Sequence, residues 1–87
     1  MRKESYIHKA KAWLDNNPEL KGKGFVKFFN GKIYGWSREL NPAIVWKDKP
    51  GTIALGSDLS IFIAKGGNYF YGAEYWEEID WDDIEQS

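Results

Sequence analysis

The sequence predicts an α+β domain in which an N-terminal amphipathic helix packs on a mostly antiparallel, strongly curved sheet of five or six strands, able to curl into a partial barrel. Three observations carry this expectation. Apolar residues recur at helical spacing near the N-terminus. From Phe25 onward the chain breaks into short runs rich in aromatic and β-branched residues. Those runs are punctuated by Asn-Gly, Asn-Pro, Pro-Gly and Gly-Gly pairs.

In the helical segment, residues 4–15, Tyr6, Ala10, Trp13 and Leu14 fall at i, i+4, i+7 and i+8 and form one stripe, with Lys9 and Lys11 away from it. Ser5 is a candidate cap, and Asp15-Asn16-Asn17-Pro18 is a strong stop. After a Lys21-Gly22-Lys23-Gly24 loop, runs 25–29 and 32–36 flank Asn30-Gly31, the strongest two-residue hairpin signal because both turn positions must accept positive φ. Further strands are expected at 43–47, 52–56 and 60–65, and at 68–71 across a Gly66-Gly67 turn. The last apolar run, 75–79, reads as a closing strand in preference to a short helix. Residues 1–80 make one compact domain, and 81–87 an acidic C-terminal tail.

A chain of 87 residues supports one core, and here the core material is aromatic: five Trp, five Tyr and five Phe. With no cysteine, disulfides and thiolate metal sites are excluded. No signal peptide is expected, because His8, Lys9 and Lys11 interrupt the N-terminal segment, and no run approaches the roughly 20 apolar residues of a membrane span. A cytoplasmic location follows as the default expectation. The net charge of −1 conceals a division. Residues 1–49 hold eleven Lys/Arg against five Asp/Glu, a balance of +6; residues 50–87 hold only Lys65 against eight acids, a balance of −7. Such asymmetry points either to an electrostatic partner or to one half neutralising the other.

The first hairpin is the most informative local feature. In a two-residue-loop register Phe29 faces Lys32, Lys27 faces Tyr34 and Phe25 faces Trp36, so these six side chains share one face. Val26, Phe28 and Ile33 share the other, as core material. Rings that stack on bases beside lysines that neutralise phosphate suit single-stranded nucleic acid. The competing structural role is a second apolar layer under the helix, with lysine stems lying over it. The segment from Gly24 to Asn30, with Lys32-Ile33-Tyr34-Gly35-Trp36, resembles the opening hairpin of cold-shock domains, a family of small nucleic-acid-binding barrels. That resemblance would nominate Lys27, Phe28, Tyr34 and Trp36 for binding. It covers about thirteen residues of 87 and does not by itself assign a family.

The C-terminal run interleaves Glu74, Glu77, Glu78, Asp80, Asp82, Asp83 and Glu85 with Tyr75, Trp76, Ile79, Trp81 and Ile84. An acidic aromatic surface can compete with nucleic acid for a basic groove on a partner protein. A solvated tail, or one folded back on the lysine-rich half, would have the same composition.

Catalysis finds little support. His8 is the one histidine and lies off the apolar stripe, no Gly-x-Ser-x-Gly elbow occurs, and adjacent tail acids are not held across a pocket. Asp80-x-Asp82-Asp83 lacks the glycine and distal glutamate of a calcium loop. The expectation is therefore a non-enzymatic binding protein without metal or cofactor, an inhibitor or adaptor of the kind phages and other mobile elements encode. Its partner would be a protein, one that itself binds nucleic acid, engaged through Trp76, Glu77, Glu78, Asp80, Trp81, Asp82 and Asp83. The alternative is direct binding of single-stranded nucleic acid through Phe25, Lys27, Phe29, Lys32, Tyr34 and Trp36. Neither role involves a membrane.

Overall fold

The computed structural model describes residues 2–85. Helix α1 spans Lys3–Asp15. Its N-cap is Arg2, which makes no side-chain capping bond, so Ser5 sits inside the first turn and not at its boundary. The C-terminus closes as expected: Asn16 and Asn17 donate side-chain hydrogen bonds back to the carbonyls of Ala12 and Trp13, at 3.3 and 2.9 Å, and Pro18 then begins a 3-10 turn.

Five strands follow: β1 Phe25–Phe29, β2 Lys32–Ser37, β3 Ile53–Gly56, β4 Ile61–Lys65 and β5 Tyr75–Ile79. They form one antiparallel sheet in the order β2-β1-β3-β4-β5. The α+β class is as the sequence predicts. The curvature is not: among the described residues β2 and β5 are the edge strands, and the sheet neither closes nor curls strongly. Because α1 and the C-terminal residues around Ile84 cover one face of the sheet, closure is not needed to bury it.

Two expected strands are something else. Residues 42–47 form a 3-10 segment, Pro42–Lys47, started by Asn41, whose side chain accepts from the Ala43 amide at 2.9 Å. Proline at the first helical position and an Asx cap favour a helical turn over a strand despite the β-branched Ile44 and Val45. Residues 68–71 lie in a loop, and β4 instead pairs with β5. The run 75–79 is the strand the sequence favours.

The core lies between α1 and the sheet. Tyr6 and Ala10 from α1 pack on Val26, Phe28, Ile53, Leu55 and Ile61. Tyr6 meets Phe28 edge to face at 4.9 Å, and Phe28 is almost fully buried. From Asp80 the chain turns into a short helix, α2, Trp81–Glu85, docked against α1. Ile84 is buried in the core, and Trp81 lies 6.0 Å from the Tyr6 ring with its indole N–H donating to the Leu59 carbonyl at 3.1 Å. The segment expected as an acidic tail is thus fastened to the domain by its apolar residues as far as Ile84; Gln86 and Ser87 lie outside the described residues.

Candidate functional site

Alternation along β1 sends Val26 and Phe28 under the helices and Phe25, Lys27 and Phe29 to the opposite face. The hairpin turn has the expected geometry, with positive φ at Asn30 (52°) and Gly31 (78°). Its register does not persist. Phe29 opposes Lys32 and Phe28 opposes Ile33, but Lys27 opposes Gly35 and Val26 opposes Trp36, so Tyr34 is the extra residue of a β-bulge. The bulge reverses the facing of everything after it. Trp36 packs against the helix-side core, its indole N–H donating to the Lys23 carbonyl at 3.2 Å, and Phe25 opposes Ser37 instead. Trp36 therefore leaves the group of six that the simple register assembles. Phe28, nominated by the cold-shock resemblance, is core as well.

On the second face a buried polar cluster forms around Asp48, which is only 5% exposed. The Lys27 ammonium donates to both of its carboxylate oxygens at 3.2 and 3.0 Å, and the Tyr34 hydroxyl donates to one of them. Burial, and then the hydrogen bond to Asp48, push the Tyr34 hydroxyl well above its ordinary pKa. Lys27 also lies 5.8 Å from the Trp76 ring centroid. Its side chain, 16% exposed, is committed to this internal pair and is not a free phosphate contact. Tyr34 keeps its ring half exposed while its hydroxyl is tied inward.

Phe29, Lys32 and Tyr34 do come together. With Lys47, Lys49 and Thr52 they line an open cleft of about 290 Å³. Lys49 is shared between the Phe29 ring at 5.5 Å and the Tyr69 ring at 5.9 Å, and those two rings meet edge to face at 6.1 Å. Tyr69 belongs to the loop joining β4 to β5, whose tip holds three consecutive aromatics. Tyr69, Phe70 and Tyr71 are 67%, 95% and 80% exposed, and nearby Trp46 is 57% exposed with Lys47 over its ring at 5.8 Å. The loop is fastened from within. Asn68 Oδ1 accepts from the amides of both Phe70 and Tyr71 at 2.9 and 2.8 Å, Asn68 and Gly72 exchange backbone bonds, and Glu74 accepts from the Gly67 amide at 2.7 Å. Gly72, at φ +85°, lies where a Cβ would stand 1.7 Å from the Trp46 carbonyl oxygen.

Sequence reasoning missed Trp46, Lys47, Lys49, Tyr69, Phe70 and Tyr71 because 43–47 and 68–71 read as strands, whose alternation would bury half of each run. The available signal was Tyr69-Phe70-Tyr71 bracketed by Gly66-Gly67 and Gly72. Three adjacent rings between glycines cannot all reach a core.

Phe25 lies at the other end of this face, edge to face with Phe62 at 5.7 Å, in a second cleft of about 470 Å³ lined by Glu39, Leu40, Pro42, Tyr75 and Trp76. The acids nominated for a protein partner are spread along β5 and α2. Glu78 stands opposite Phe62 across the β4–β5 ladder. Glu77 pairs with Lys65 at 2.5 Å, which raises the lysine's pKa by that hydrogen bond and charge. Asp80 and Asp82 are exposed, and Asp83 accepts from the Asp80 amide at 3.2 Å, an N-terminal cap for α2. The tryptophans are less available: Trp76 packs on Val45, Ala64 and Ala73, and Trp81 is sandwiched between Tyr6 and Lys3. His8 is exposed on α1, and among the described residues no group of three or more His, Asp or Glu side chains could hold a metal ion. No helix is long and apolar enough to cross a membrane among the described residues.

Comparison with protein-family models, with curated proteins and with solved structures yields no match.

Proposed function

We propose that this is a non-enzymatic binding protein whose principal surface takes single-stranded nucleic acid. The observation that carries the reading is the fastened loop of Tyr69, Phe70 and Tyr71, which holds three rings in solvent beside Phe29, Tyr34, Trp46 and the ammonium groups of Lys47 and Lys49. Exposed rings lose the stabilisation that burial would bring, so internal hydrogen bonds that hold them outward point to a ligand. Lysine is depleted at protein–protein interfaces but suits phosphate, which favours a polyanion here. Unstacked bases present free π-faces to such rings, each stack contributing about 1–3 kcal/mol, whereas duplex bases are already stacked on one another. Two or three stacks with phosphate neutralisation by Lys32, Lys47 and Lys49 would bring binding to about −8 kcal/mol, the micromolar range.

Titrating the protein with a thymidine 12-mer at low salt tests this, with the exposed Trp46 as the fluorescent reporter. Binding should quench the emission. The slope of log affinity against log salt should be about −2, as three neutralised phosphates on a single strand require. The double variant Phe70→Ala/Tyr71→Ala should bind at least about tenfold more weakly. Absence of quenching and of any mobility change at low salt would overturn the proposal, as would equal affinity for duplex.

A further inference from the structure

The acidic side of the molecule offers a second surface, distinct from the loop aromatics. β5 is an edge strand: it pairs with β4 along residues 75–79, and no strand flanks its other side among the described residues. An edge strand presents a row of backbone donors and acceptors able to receive another chain. Beside it opens the cleft of about 470 Å³ floored by Phe25, Phe62 and Trp76 and walled by Leu40 and Pro42. Exposed Glu77 and Glu78 lie on the strand, and exposed Glu39 lines the cleft.

Charge decides what can occupy this edge. A second copy pairing antiparallel in the register centred on the glutamates would set Glu77 against Glu78, and neighbouring registers would set one glutamate against its own copy; like charges across a ladder are destabilising. The acids therefore guard the edge against self-association while leaving it open to a basic strand. We infer that β5 is a docking edge for an extended peptide segment of a partner protein, one that alternates basic and apolar residues. Its backbone adds a sixth strand, its Lys or Arg side chains take the face of Glu77, and its apolar side chains take the other face, where one enters the cleft between Trp76 and Pro42. This inference does not depend on the nucleic-acid reading, because it uses the opposite edge of the sheet from Lys32.

The test uses an eight-residue synthetic peptide of alternating lysine and valine, two versions N-methylated at alternate positions, and a glutamate–valine peptide. Hydrogen exchange and titration by NMR give the readout. The lysine–valine peptide should bind at low salt and slow exchange at the β5 amides. At least one N-methylated version, having lost the donors that face β5, should bind about tenfold or more weakly, and the glutamate–valine peptide likewise. The variant Glu77→Lys should lose at least about fivefold in affinity with its urea midpoint nearly unchanged, since the Lys65–Glu77 pair it breaks is solvent-exposed. Undiminished binding of both N-methylated peptides would reduce the contact to nonspecific electrostatics and overturn the inference. So would unchanged exchange at β5, or failure of the lysine–valine peptide to bind at low salt.

Discussion

Burial strips the Asp48 carboxylate of most of its hydration, and the Lys27 ammonium and Tyr34 hydroxyl replace the lost water. Removing the acid would leave Lys27 charged in a site where its side chain is 16% exposed. Asp48→Ala should therefore destabilise by about 3 kcal/mol, and Tyr34→Phe, which removes one donor and leaves the ion pair, by about 1 kcal/mol, both read from urea denaturation. The same hydroxyl gives a pH signature. Its folded pKa is raised above the ordinary value of 10.0, so its contribution is fully present below pH 10 and is lost as pH rises through the folded value. Stability should fall above about pH 10, and the fall should be shallower in Tyr34→Phe, where Tyr6, also raised by burial, still titrates. The sequence places Lys27 and Tyr34 on one face of the hairpin, but their shared partner Asp48 was not legible in it. Lys27 and Tyr34 read either as a nucleic-acid surface or as part of a second apolar layer, and nothing in the local pattern around Asp48 ties it to a hairpin more than ten residues earlier.

The aromatic loop, the hairpin and the 3-10 segment each show a local signal modified by its neighbours. Asn68 fastens the loop through two amides at exposed positions, so Asn68→Ala should weaken nucleic-acid binding severalfold while shifting the thermal midpoint by no more than a few degrees. Gly72→Ala is the harsher change, since a Cβ there meets backbone and not a movable side chain. It should cost about 2 kcal/mol or more in denaturation and disorder the Tyr69–Tyr71 amides in NMR spectra. In the hairpin, Asn30-Gly31 correctly announces the turn, but the bulge at Tyr34 is invisible to turn chemistry. It moves Trp36 to the helix side and lets the Tyr34 hydroxyl reach Asp48. In 42–47, the Asn41 cap and Pro42 outweigh β-branched propensity, and the resulting turn carries Lys47 and Lys49 toward Phe29 and Tyr34.

Over the whole molecule, the charge division of the sequence becomes a division between the two edges of the sheet, while α2 of the acidic half docks on α1 of the basic half. Among the described residues, the pairs Asp15–Lys21, Lys27–Asp48 and Lys65–Glu77 each join groups from the same half of the chain. The strand order places Lys32 of β2 and Glu77 and Glu78 of β5 on opposite edges, roughly 19 Å apart at ordinary strand spacing, beyond the Debye length of about 8 Å at physiological salt. Folding stability should then depend little on salt, the urea midpoint at pH 7 changing by less than about 0.3 M between about 0.05 and 0.5 M NaCl, while ligand binding at either edge falls steeply. A strongly salt-dependent midpoint would mean that the two halves hold each other in place.

The sequence by itself determined the α+β class, the extent of α1, the Asn30-Gly31 turn and the last strand, because each rests on local periodicity or on a backbone geometry that few residues accept. It also determined the lopsided charge. Only the tertiary structure decided which aromatic residues are core and which are surface, because that depends on a one-residue bulge and on cross-strand partners far apart in the chain. The same holds for the C-terminus. Its acids are plain in the sequence, but Trp81 and Ile84 fasten α2 to the core through contacts with Tyr6 and Leu59, and those partners become neighbours only when the sheet and helices assemble.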